Sequence, residues 1–190
     1  MGFLDNIKRA PSTGGSGGSG SYMKLEQGEN KVRIVGTLDD GGFITGMIGW
    51  GEDDEGNRKP FRWQVDETQP RSFKDKPKEF FAFKVYNYAT DSVQVLEITQ
   101  RSIKDELVNL GNDEEWGDFR KYDIAIIRNG EGMDTQYAVT PKPHKKMSDE
   151  QRKMILGKEV DLSALYRGED PFAEAEPEVE EQAGEEEEPF

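Results

Sequence analysis

The chain has no cysteine and one histidine, His144. Without thiols there is no disulfide, no thiolate metal site and no Cys nucleophile. With one imidazole, a zinc site of the Cys/His kind and a conventional Ser-His-Asp arrangement are excluded or nearly so. Long apolar runs are also missing: nothing approaches a membrane span, and the N-terminus lacks the hydrophobic core of a signal peptide. These absences lead us to expect a soluble intracellular protein that works without a metal or cofactor. Hydrophobic residues make up only 33% of the 190, against 34% charged, so part of the chain is expected to remain unfolded. The length suits one core and is short for two domains.

Positive charge is scarce overall, with a net charge of −14, which looks hostile to nucleic acid until it is divided along the chain. Residues 169–190 hold eleven carboxylates and no Lys or Arg, which leaves residues 1–168 near −3 with all 25 basic residues. Binding depends on the local field and not on the sum, so a near-neutral body can still present a basic groove.

What is present is alternation. Across residues 80–88, Phe81, Phe83 and Val85 fall on one side of an extended segment and Lys84, Tyr86 and Tyr88 on the other, the two-residue period of a strand with two different faces. A half-buried strand ordinarily gives its wet side to plain polar residues. A cation followed by two rings there suggests a platform for stacking flat ligands, whereas the plainer account packs the tyrosines under a loop.

Residues 92–98 read as the next strand, after a turn at Ala89, Thr90 and Asp91. In residues 99–111, Thr99 or Ser102 can cap a helix, Ile103, Leu107 and Leu110 form its stripe, and Gly111 can end it. A polar loop with Trp116 leads to strands over 122–128 and 135–140, separated by a turn at 129–132 and stopped by Pro141. Upstream, Val32 and Ile34 face a core while Lys31 and Arg33 point out. Residues 43–50 read as a bent strand relieved by glycine, and 51–60 as an acidic loop. In 61–65, Phe61, Trp63 and Val65 share a face. Arg71, Lys74, Lys76 and Lys78 lie near Phe73 in a basic loop. Strand, strand, short helix, strand, strand is the latter half of a barrel of the oligonucleotide-binding type. The expected fold is therefore mainly β, an OB-fold-like five-stranded Greek-key barrel with a helix between strands 3 and 4.

The ends have a different composition. Residues 1–21 read as a flexible arm and Gly/Ser linker, 22–157 as the folded domain, and 158–190 as an acidic, disordered tail. Ser148 and Gln151 have capping-box spacing before a short helix through Leu156. Beyond Gly157, only residues 160–166 are expected to order locally.

Several of these segments, taken together, resemble the phage single-stranded-DNA-binding proteins of the T4-type helix-destabilising family. They are residues 122–124, 128–132, 134–137 and 139–141, with the 84–88 strand and the start of the helix at residues 100–103. The likeness covers about 22–143, and without cysteines the chain looks like a smaller relative lacking the zinc subdomain. Residues 8–13 faintly resemble the family's basic-plus-hydroxyl cooperativity motif, with Ala10 and Pro11 interrupting it. The resemblance implies a non-enzymatic, sequence-tolerant single-strand DNA binder in phage replication, recombination or repair, working in the cytoplasm of an infected bacterium. Bases would stack on Tyr86 and Tyr88, with Trp63 and Trp116 as further platforms. Lys31, Arg33, Arg62, Lys84, Arg101, Lys121 and Arg128 would neutralise phosphates. The tip formed by Glu185, Glu186, Glu187, Glu188, Pro189 and Phe190 resembles the acidic ends of replication-associated strand binders. It would compete for the groove and engage partner proteins.

Two other classes compete with this reading. One is a magnesium-dependent nuclease using Asp91, Glu97 and Asp123, whose spacing is not distinctive. The other is an acidic DNA mimic, for which carboxylates should spread over a folded face instead of gathering in the tail.

Overall fold

The structure is a computed structural model that describes residues 20–173. Seven strands form one antiparallel sheet: β1 (Gly28–Ile34), β2 (Phe43–Glu52), β3 (Arg58–Trp63), β4 (Lys78–Asn87), β5 (Ser92–Ile98), β6 (Tyr122–Asn129) and β7 (Gln136–His144). Three helices accompany them: α1 (Arg101–Asn112), α2 (Asp149–Gly157) and α3 (Ala164–Arg167).

All seven extended segments anticipated from the alternation are strands, and β4 is the hub. One edge of β4 pairs with β5, from Phe81 opposite Ile98 to Asn87 opposite Ser92. Its other edge is shared end to end by β2, through Phe83 opposite Phe43, and by β1, through Val85 opposite Ile34. β6 joins β1, β7 joins β6, and β3 forms a hairpin with β2. The expected five-stranded count is thus corrected to seven. Among the described residues no ladder joins β5 to β7, so the sheet is open and not a closed barrel. The β2–β3 hairpin supplies the two additional strands, because alternation carries Phe43 to Trp63 out and back before the chain reaches β4.

A core lies on each side of β4. Phe81, Phe83 and Val85 face one core with Val32, Ile34, Leu96, Ile98, Ile103, Leu107, Ile124 and Ile126. Phe80 and Ala82 face the other with Ile48, Val95, Leu162 and Leu165. The second core corrects the domain boundary after Gly157: residues 158–173 belong to the folded body. Leu162 and Leu165 are sealed against the outer face of β4, and burying each contributes roughly 1.5–3 kcal/mol. The Tyr166 hydroxyl donates to the Thr45 carbonyl at 2.6 Å. Gly46 permits this docking, since a Cβ there would stand 2.9 Å from the Phe80 ring and 3.1 Å from that of Tyr166. The expectations for residues 1–19 and for the tip at 185–190 fall outside the described residues.

Helix α1 starts after Gln100 with no side-chain cap, so neither Thr99 nor Ser102 acts as expected, and it runs through Gly111 to Asn112. Burial of Ile103 and Leu107 holds it to the sheet instead. The capping box of α2 is formed: the Ser148 side chain accepts from the Gln151 amide while the Gln151 side chain accepts from the Ser148 amide.

Candidate functional site

The face of β4 expected to look outward is covered. The Tyr86 ring is 1% exposed, its hydroxyl donates to Asp91, and its ring meets Tyr88 edge-on at 5.2 Å. The Lys84 ammonium donates to the Ile155 and Lys158 carbonyls at 3.0 and 2.7 Å. It therefore sits at the C-terminal end of α2, where a helix favours a cation. Burial lowers its pKa despite the nearby carboxylates of Asp40 and Glu159. Tyr86 and Lys84 are thus corrected from an open platform to a covered one, because α2 and residues 158–173 lie over that side of the sheet.

The neighbouring residues form a polar hub around Asp123, which is 3% exposed. Its carboxylate accepts from Arg33 Nε at 2.6 Å and the Tyr88 hydroxyl at 2.7 Å, and Lys31 Nζ stands 3.4 Å away. The Lys31 ammonium also lies 4.4 Å from the centre of the Tyr88 ring. Tyr88 is half-buried, and burial followed by the bond to Asp123 raises its pKa well above the ordinary phenol range.

Other sequence-identified residues are occupied elsewhere. Trp63 is 6% exposed and stacks on Phe73 at 5.5 Å and 5°. Phe73 in turn lies flat on Gly49, where a Cβ would come within 2.8 Å of its ring. Arg62 pairs with Glu97 at 2.6 Å. Arg128 Nη1 donates to the Leu25 carbonyl at 2.8 Å. These three are consequently corrected from free contacts to packing and pairing residues. Arg101 is exposed on α1 and pairs with Asp105 at 3.4 Å.

Six cationic side chains gather around a cleft of about 560 Å³ that four separated segments enclose. The end of β1 supplies Arg33, and the 3-10 turn Phe119–Lys121 supplies Arg120 and Lys121. The end of β7 and the two residues after it supply His144, Lys145 and Lys146, and α2 supplies Arg152. No Asp or Glu lines it among the described residues. Arg33 builds the floor: 1% exposed, it donates from Nη1 to the Arg120 carbonyl and from Nη2 to the Lys145 carbonyl, both at 2.9 Å. The Lys145 amide donates to the Lys121 carbonyl at 3.1 Å. Arg120 is held by Asp118 at 2.9 Å, which keeps that carboxyl below the usual range, and Arg152 pairs with Asp149. Lys121, Lys145 and Lys146 form no ion pair among the described residues.

Rings stand beside these lysines. The exposed His144 stacks on buried Tyr122 at 5.4 Å and 6°, and half-buried Trp116 meets both edge-on at 5.5 and 5.0 Å. The Tyr122 hydroxyl is buried without a hydrogen-bond partner. Burial, reinforced by Asp118 and Asp113, pushes its pKa up to about 12. A cleft with phosphate-attracting cations and partly open rings can hold an anionic ligand with flat groups. Of the residues singled out from sequence, Lys121 lines the cleft and Trp116 stands beside its His144, while Arg33 is corrected from an outward-pointing phosphate contact to a buried support paired with Asp123. Arg120, His144, Lys145, Lys146 and Arg152 were missed, although the run of Lys142, His144, Lys145, Lys146, Arg152 and Lys153 is a visible concentration of basic residues.

The three carboxylates considered for a magnesium site are apart in role: Asp91 accepts from Tyr86, Glu97 from Arg62 and Asp123 from Arg33. Among the described residues no three Asp, Glu or His side chains are grouped as metal ligands. Compared with protein-family models, with curated proteins and with solved structures, the chain shows no match.

Proposed function

We propose that the chain is a non-enzymatic, sequence-tolerant single-strand DNA binder whose phosphates enter the cationic cleft and whose bases stack at its rim. The observation that carries this reading is the concentration of six cationic side chains in one cleft, with no carboxylate lining it among the described residues, in a chain of net charge −14. Lys121, Lys145 and Lys146 take phosphates, Arg33 positions the floor, and Trp116 with His144 offers ring faces to bases. A volume of about 560 Å³ lies in the range of sites that take one small ligand. It suits a splayed nucleotide or two better than a duplex. The order β1, β4, β5, α1, β6, β7 supports reading the sheet as an open OB-type arrangement enlarged by the β2–β3 hairpin. The phage setting, the bacterial cytoplasm, self-association on DNA and the capture of replication proteins by the tip at 185–190 rest on the sequence resemblance.

The test is a titration with oligo-dT, followed by tryptophan fluorescence across salt concentrations and compared with duplex of equal length. Tight binding of oligo-dT that weakens as salt rises is expected, because bound lysines release counterions. Lys145→Ala and Lys146→Ala should each lower the magnitude of the salt slope by about 1. Trp116→Ala should cost about 1–3 kcal/mol, the scale of one stacked base. Oligo-dT bound no better than duplex overturns the reading.

A further inference from the structure

Helix α2 is seated unlike any other helix of comparable length in the described fold. None of its residues is buried, whereas α1 buries Ile103, Lys104 and Leu107. A cleft flanks it on each side: the cationic one of about 560 Å³, and another of about 530 Å³ bounded by Ser92 and Val93 of β5, Met154 of α2 and Phe172. Polar contacts hold its C-terminal end and the chain leading to it. Arg33 Nη2 donates to the Lys145 carbonyl in the stretch between β7 and the Ser148 cap, and Lys84 Nζ donates to the Ile155 and Lys158 carbonyls at the close of the helix. Beneath it lie Lys84 and Tyr86, with Gln151 beside the Tyr86 hydroxyl.

We infer that α2 is a displaceable cover over a channel for the DNA strand, and that the strand enters as the helix leaves its seat. The inference rests on the strand-binding reading and deepens it. With α2 displaced, the two flanking clefts join across Lys84, Tyr86 and Tyr88 into one trough. A ligand shifts such an equilibrium only if it binds the open state better, and this trough supplies the difference. Lys84 exchanges two neutral carbonyls for a phosphate, a charge-assisted bond of the stronger kind, and the two phenol rings become available to bases. The flanking chain allows the motion. Residues after Val160 stay anchored by Leu162 and Leu165, while Gly157, where a Cβ would meet nothing within 4 Å, ends the helix ahead of that anchor.

The absence of cysteine makes a direct test possible. In the full chain, Ser92→Cys and Met154→Cys place two thiols on opposite walls of the second cleft. One sample is joined by a short bismaleimide and the other is capped at both thiols with a monofunctional maleimide, so the two differ only in the tether. The tethered protein should bind oligo-dT at least about tenfold more weakly than the capped one. Equal affinity overturns the cover while leaving strand binding intact, and failure of both samples and the unaltered chain to bind overturns both readings. A polarity-sensitive dye on the single variant Met154→Cys provides an independent readout. Its emission should change on saturation with oligo-dT at the same midpoint as tryptophan quenching, and unchanged emission at saturation counts against the cover.

Discussion

Helix α2 and residues 158–173 lie over the same face of the sheet, yet they are attached by different physics. Residues 158–173 carry Leu162, Leu165, Tyr166 and Phe172 into a core with Phe80, Ala82 and Val95. They are held by burial, which acts wherever apolar surface leaves water. No residue of helix α2 is fully buried, only Gln151 and Ile155 being half-buried, and its C-terminal end is held by hydrogen bonds from Lys84 to the Ile155 and Lys158 carbonyls. Such bonds contribute little net stability because water competes for both partners. Adjacent segments of one chain can thus be a permanent part of the fold and a cover that an anion can displace.

The largest effect is expected at Arg33, on the cleft beside α2 and away from the anchored segment. Arg33→Ala leaves Asp123 buried with its guanidinium partner gone and frees the Lys145 carbonyl. Losing one member of a buried pair costs about 3–5 kcal/mol, so chemical denaturation should show a loss of that size and the cationic cleft should lose its floor. Leu165→Ala tests the anchored segment alone and should cost about 2–5 kcal/mol. Leu156→Ala on α2, at a residue 83% exposed, should stay within about 0.5 kcal/mol. Similar losses for the two leucines would erase the distinction.

Tyr122→Phe probes, through pH, the buried ring on which His144 stacks. The unfolded phenol ionises near 10 while the folded one is pushed up to about 12. Between those values the unfolded chain sheds a proton that the folded chain keeps, and stability falls as pH rises. The phenylalanine variant should lose less stability than the parent in alkaline denaturation from pH 10 to 12, by roughly 1–3 kcal/mol at the upper end. At neutral pH it should be unchanged or up to about 1 kcal/mol more stable, since an unpartnered buried hydroxyl is removed.

Lys84→Met should cost about 0.5–1.5 kcal/mol at neutral pH, less than Arg33→Ala or Leu165→Ala, for a residue that holds only the cover. Because burial lowers the Lys84 pKa, the unfolded state holds more protons in the window just below the ordinary lysine value. The Lys84 contribution there becomes more favourable as pH rises, and the methionine variant should lack this upward slope.

How far each feature could be read from sequence followed the distance over which it is specified. The seven extended segments and the helices from Arg101 and Asp149 were visible, since period-two alternation and the Ser148 and Gln151 pair are local signals. The start of α1 was misjudged because packing of Ile103 and Leu107 makes a side-chain cap dispensable. The five-strand count failed because alternation reveals strands without revealing which edges meet. The candidate site was less visible: Lys121, Trp116 and Arg33 were named, while Lys145, Lys146 and Arg152 were passed over in favour of Lys84 and Tyr86. Trp63 was left open between packing and ligand contact, and Phe73 settles it by stacking on its ring.

The order of residues by itself determined the strand faces, the hairpins, the capped helix and the separation of a near-neutral body from an acid-rich end. Each of these depends on neighbours a few positions apart. Only the tertiary structure decided which face of β4 meets water, because that depends on residues 149–173, far downstream in the chain, folding back over it. It also decided that four distant segments place their cations around one cleft, since Arg33 can bind the carbonyls of Arg120 and Lys145 only after the sheet has brought them together.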